Sequence, residues 1–183
     1  NKLNTEKRIL ITNDDGLHAP GLALLEDIAR KFTEDIWVVA PDQEKSGTSH
    51  SISLTSPIRM RQVGDKRYQV SGTPTDCVLI ALSQCMADRP PDVILSGINN
   101  GANLAEDLSY SGTVAAAMEG TMLGVRAIAL SQIRPSGQQA NFAPASRNAP
   151  ELIKKLLDLD DWPSDSFINV NFPDTRLDEI IDV

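Results

Sequence analysis

Short apolar runs alternating with helix-spaced stretches, and polar, glycine-bearing segments where each run ends, predict an α/β fold. The expected form is doubly wound, with a mostly parallel, Rossmann-like sheet and an additional β-hairpin. The runs at residues 9–11, 36–40, 92–95 and 127–131 are rich in Ile, Leu and Val and do not alternate with polar residues. That is the pattern of parallel strands covered on both faces. With 183 residues, 41% of them hydrophobic, the chain is long enough for one sizeable core and short for two, so residues 1–183 are read as a single domain.

The first run ends in Thr12, and Asn13, Asp14, Asp15 and Gly16 follow as turn formers. Pro20 and Gly21 then open an amphipathic helix whose apolar face is Leu22, Leu25, Ile28, Ala29 and Phe32. The second run ends at Pro41, before a hydroxyl-rich loop that holds Lys45, Ser46, Thr48, Ser49 and His50. Residues 58–63 and 67–70 read as a hairpin around Gly64 and Asp65. Arg59, Arg61 and Arg67 on it are read as a solvated face. Thr73, Pro74 and Asp76 have the cap, first-position proline and first-turn acid of a helix start. After the run at 92–95 comes a long loop, residues 96–113, and then the Ala-rich helix at 114–122, closed by Gly124. Residues 134–147 read as a flexible connection, 150–157 as the core of a further helix, and 167–172 as a last strand.

A formal net charge of −8 and a pI near 4.7 argue against broad binding to a nucleic-acid polymer, which needs clustered cations. No apolar run of about 18 residues suggests a membrane span, and the first residues do not form a signal peptide. A cytoplasmic protein is expected. Cys77 and Cys85 fit that compartment: eight residues apart on an expected helix they are separated by about 12 Å of rise, beyond disulfide reach.

Two features carry chemistry. Asp14 and Asp15 stand at the carboxyl end of the first strand, where open α/β sheets bind ligands. Alone the tetrapeptide is a turn; beside a low-dielectric sheet, adjacent carboxylates repel unless a cation compensates. Mg²⁺ or Mn²⁺ takes one or two carboxylates with neutral oxygens and substrate phosphate. The second feature is Ser111, Gly112 and Thr113 before the Ala-rich helix. These residues make an ordinary N-cap, or, with free N–H groups and two hydroxyls, an anion cradle. The length of the preceding loop favours function.

Five motifs in order carry a family resemblance: Ile9 to Gly16 with Gly21; Val38 to Ser46; Gly72 to Cys77; Ser96 to Asn99; and Tyr110 to Gly120. Together they resemble the SurE family, metal-dependent 5'(3')-nucleotidases of broad phosphatase activity. The resemblance implies one divalent ion held by Asp14, Asp15, Ser46 and Asn99, with Asp14 and Asp15 as the catalytic carboxylates. It further implies that Ser111, Gly112 and Thr113 hold phosphate, with Asn103 nearby and Asn13 among the substrate-binding residues. Nucleoside monophosphates and other small phosphomonoesters would be the substrates, and a homodimer or homotetramer the assembly. The family's C-terminal segment, associated with an extended hairpin and subunit exchange, is expected to lie beyond this sequence. Leu177, Ile180 and Ile181 would then seek a partner surface. Asp14 could serve as ligand only, as general base or as nucleophile, and His18 and His50 are alternative bases.

Three other readings compete. A receiver-like signalling domain would need an Asp after the strand at 93–95, where Ser96 and Gly97 stand, and a Lys after the strand at 127–130. A haloacid-dehalogenase-like phosphatase would need an Asp-x-Asp motif, whereas Asp14 and Asp15 are adjacent. A non-catalytic nucleotide-binding module would differ from the enzyme in releasing no phosphate.

Overall fold

The computed structural model describes residues 7–45, 47, 49–53 and 57–175. Among the described residues seven strands form one sheet in the order β3-β4-β2-β1-β5-β6-β7. They are β1 (Arg8–Thr12), β2 (Asp35–Pro41), β3 (Met60–Gly64), β4 (Arg67–Val70), β5 (Val93–Asn100), β6 (Ala127–Gln132) and β7 (Ile168–Phe172). Only the β3–β4 pair is antiparallel. The hairpin therefore extends the sheet at one edge, through a parallel β4–β2 pairing.

Two cores cover the two faces. Ile9, Ile11 and Leu95 pack against Leu22, Leu25 and Ile28 of α1 (Pro20–Ala29) and Ala149 and Ile153 of α4 (Ala143–Leu157). Leu10, Val39 and Ile94 face the other way, onto Cys77 and Val78 of α2 (Pro74–Ile80) and Val114, Ala116 and Ala117 of α3 (Gly112–Met122). Ile9, Leu10 and Ile11 are fully buried, each side chain contributing about 1.5–3 kcal/mol. The α/β, doubly wound expectation holds, and β1 lies at its middle with β2 on one side and β5 on the other. Because the chain leaves β1 for one edge and returns for the other, a crevice opens beyond the carboxyl ends of β1 and β5.

Several boundaries differ from the sequence expectation. β5 does not stop at Leu95 but runs to Asn100 through an irregularity between Ser96 and Asn99. Gly97, at φ 137°, takes a backbone conformation there that a side chain would oppose. Asn99 thus stands on a strand end, not in a loop. α4 begins at Ala143, where the Asn141 carboxamide oxygen accepts from the Ala143 N–H, and carries Pro150 inside it. The segment read as a flexible connection, 134–147, is consequently cut to 134–142. The Thr73 cap is as expected: its hydroxyl accepts from the Asp76 N–H, and the Asp76 carboxylate accepts from the Thr73 N–H. Buried Asp76 also accepts from the backbone and hydroxyl of Ser53, tying the preceding loop to α2. Past α2 a π-helical turn spans Ala81–Cys85. Cys77 is a buried free thiol and Cys85 a half-buried one. No helix of the described residues is long and apolar enough to cross a membrane.

Candidate active site

The acid pair occupies the turn directly after β1. Asn13 closes it by donating from Nδ2 to the Gly16 carbonyl at 2.9 Å. The loop after β2 lies against the same turn, as adjacency of β1 and β2 requires: the Lys45 N–H donates to the Asp14 carbonyl at 2.7 Å, and Leu17 N–H to that of Pro41. Asp14 is only 5% exposed. Its Oδ1 accepts a 2.5 Å hydrogen bond from the Thr113 hydroxyl, so the first turn of α3 is aimed at this carboxylate. Asp15 Oδ2 accepts from the Asn100 N–H at 3.2 Å, across from β5.

Burial pushes the Asp14 carboxyl above its ordinary range, against the pull of its hydrogen bonds to Thr113. Asp15 is pushed up to about 6, first by burial and then by the neighbouring charge of Asp14. Such a pair is in electrostatic conflict, and a cation resolves it. Asn99 lines the same cavity, and its Nδ2 donates to the Gly101 carbonyl, which leaves the amide oxygen as a hard neutral donor. Two carboxylates and an amide oxygen fit a hard divalent ion. Among the described residues no cluster of three His, Cys, Asp or Glu forms a metal site of a different kind. Ser46, the remaining expected ligand, lies outside the described residues.

The expected phosphate cradle is brought to the acids, but its donors are differently employed. Ser111 caps α3, its oxygen accepting from the Val114 N–H at 3.1 Å, and it retains its own proton for donation into the cavity that it lines. Thr113 has spent its hydroxyl proton on Asp14. Gly112 is tightly enclosed: a Cβ there would lie 2.8 Å from Asp14 Cβ and 3.0 Å from Pro74 Cγ. Its missing side chain lets the end of α3 approach the acid pair and α2 together.

Asn103 is buried in a network of its own. Its Nδ2 donates to Ser131 Oγ, its N–H to Asn171 Oδ1, and its carbonyl accepts from Asn169 and Asn171. It lines the cavity while locking the loop after β5 to β6 and β7. Asn13 Oδ1 is buried and accepts no hydrogen bond among the described residues. His18 is exposed, and His50 meets buried Glu119 of α3 at 2.7 Å. Neither histidine lines the cavity.

The cavity, about 360 Å³, also takes Glu44, Asp107, Tyr110 and Arg134, none of which the sequence reading singled out. Arg134 stands two residues past the end of β6, at the same sheet edge as the acids. That position was the available signal.

A mostly parallel α/β sheet with an acid pair at its topological switch point, Asp14 buried and Asp15 half-buried, braced by a helix N-terminus, defines an α/β protein with a small-ligand site. The family model of the survival protein SurE matches residues 9–183. The chain belongs to the SurE family. It is 51% identical over 175 residues to the 5'-nucleotidase SurE of Methylorubrum extorquens strain PA1, covering 94% of this chain and 68% of that relative. It is 53% identical over 169 residues to the 5'-nucleotidase SurE of Parvibaculum lavamentivorans, covering 91% and 61%. The crystal structure of the SurE protein from Aquifex aeolicus superposes with a TM-score of 0.85 at 39% identity, over 94% of this chain and 68% of that one.

Proposed function

We propose that this protein is a divalent-metal-dependent 5'-nucleotidase, a phosphomonoesterase that converts nucleoside 5'-monophosphates to nucleoside and phosphate. The proposal extends to 3'-monophosphates and other small phosphomonoesters. The observation that carries it is the convergence of Asp14, Asp15, Asn99 and the end of α3 on one cavity. The names of the relatives give the same direction.

Asp14, Asp15 and Asn99, with Ser46, would hold Mg²⁺ or Mn²⁺. When bound, the ion supplies Lewis-acid polarisation of a phosphoryl oxygen and makes water more acidic. Thr113 keeps Asp14 oriented and ionised by donating to Oδ1. Ser111 offers its hydroxyl proton, and the backbone at Gly112 the positive end of α3, to phosphate oxygens that gain charge in the transition state. Asn13 holds the turn that aligns the two acids. Of the candidate bases, Asp14 lines the cavity and His18 and His50 do not, so Asp14 is the one to act on the reacting water. A cytoplasmic homodimer or homotetramer completes the proposal; its apolar tail, Leu177, Ile180 and Ile181, lies outside the described residues.

A phosphate-release panel of nucleoside 5'- and 3'-monophosphates with Mg²⁺ and Mn²⁺ tests this reading. Release from 5'-monophosphates supports it, and nucleotide binding without release would favour a non-catalytic module. Light scattering at micromolar concentration decides the assembly, with a monomer rejecting it.

A further inference from the structure

Arg134 is the one basic residue that lines the cavity among the described residues, facing a wall that includes Asp14, Asp15, Glu44 and Asp107. Among the described residues no carboxylate pairs with its guanidinium. Nε donates to the Asn100 carbonyl at 2.9 Å and Nη1 to the Gln138 carbonyl at 2.6 Å. The segments that carry the two carbonyls are tied together by the Asn100 side chain, which donates from Nδ2 to Gln139 Oε1 and accepts at Oδ1 from the Ala140 N–H. Nη2 makes no hydrogen bond to the described residues. Neutral carbonyls orient a guanidinium without cancelling its charge, and that charge reaches Asp15, where it opposes the upward push of burial.

A planar, preoriented cation with a free nitrogen suits a phosphate oxygen better than it suits water or a sugar hydroxyl. In a cavity rich in carboxylates it also lowers the repulsion that a dianion meets on entry. Resting on the phosphomonoesterase reading above, we propose that Arg134 binds the phosphate group of the substrate and product, opposite the N-terminus of α3.

The charge of Arg134 makes a distinctive pair of expectations. Removing it should weaken phosphate while leaving a divalent cation bound as tightly as before, or more tightly, because a positive neighbour of Asp15 has gone. A residue that merely braced the loop would weaken both ligands. The experiment is calorimetric titration of Mn²⁺ onto wild type, Arg134→Gln and Arg134→Lys, followed by inorganic phosphate onto each Mn²⁺-loaded protein. Arg134→Gln should raise the dissociation constant for phosphate about ten- to a hundredfold, as loss of a charged hydrogen bond requires. Arg134→Lys should recover part of it, and adenosine should inhibit wild type and Arg134→Gln equally. Phosphate affinity within twofold of wild type in Arg134→Gln would overturn the assignment, and so would parallel loss of Mn²⁺ and phosphate. Wild type that binds phosphate yet releases none from nucleoside monophosphates would reject the catalytic reading alone and leave this titration readable.

Discussion

The Thr113 hydroxyl, on the first turn of α3, donates a 2.5 Å hydrogen bond to Oδ1 of Asp14, ninety-nine residues earlier in the chain. Both side chains are buried, so the bond fixes the acid in a setting where water cannot replace the donor. Thr113→Val preserves shape and leaves a buried carboxylate oxygen unpaired. Catalytic efficiency should fall about ten- to a hundredfold, with weaker binding of Mn²⁺, by the usual worth of a hydrogen bond to a charged group. Thr113→Ser should restore most of both. Steady-state kinetics and metal titration on the two variants check this.

Gly112 carries a different expectation from that of a residue which only leaves room for phosphate. An added Cβ meets Asp14 Cβ at 2.8 Å and Pro74 Cγ at 3.0 Å, so Gly112→Ala strains the contact between α3, α2 and the acid pair. The loss of stability should be about 1–3 kcal/mol, the range for overpacking. Metal affinity should drop along with phosphate affinity. Denaturant unfolding and a Mn²⁺ titration measure the two losses, and unchanged metal binding would show that the glycine serves phosphate alone.

Asn103→Ala should behave chiefly as a structural lesion. The carboxamide spends its Nδ2 on Ser131, while the backbone of the same residue engages Asn169 and Asn171. Losing the side chain leaves buried Ser131 Oγ without its donor, at a cost of about 1–3 kcal/mol. Thermal melting should register that loss even without ligand.

Asp35 sets an acid limit remote from the site. Burial alone would raise its carboxyl, but the hydrogen bonds and charges of Lys66 and Arg8 prevail and hold it at about 2, below the ordinary 3.8. A depressed carboxyl stabilises the fold above its unfolded value and loses that contribution as pH falls through 3.8 towards 2. Asp35→Asn should therefore cost about 1 kcal/mol at pH 7, the scale of a partly exposed ion-pair network. The gap in melting temperature between variant and wild type should narrow at pH 3.

The sheet was legible because the runs at β1, β2, β5 and β6 are buried on both faces, which leaves an uninterrupted apolar pattern at each. The acid pair was legible for a related reason: two carboxylates directly after such a run have few uses. Local pattern failed where the determinant is distant. The continuation of β5 through Ser96 to Asn100 depends on pairing with Ser131 and Gln132 across an irregularity that polar residues conceal. Thr113 reads as half of an N-cap signal, and nothing near it in sequence reveals that its proton goes to Asp14. Arg134 was hidden in a polar connection, since only the return of β6 beside β5 brings it to the cavity. Ser46 and Asn99 came from family resemblance, and only Asn99 falls within the described residues.

The most direct measurement is phosphate release from a nucleoside 5'-monophosphate by wild type and Asp14→Asn, each assayed with Mn²⁺ and again with excess chelator. The account predicts release by wild type with Mn²⁺, its loss in chelator, and a fall of at least a hundredfold in Asp14→Asn at saturating Mn²⁺, as removal of a catalytic carboxylate demands. Wild-type turnover undiminished by chelator, or an Asp14→Asn variant as fast as wild type, would contradict it.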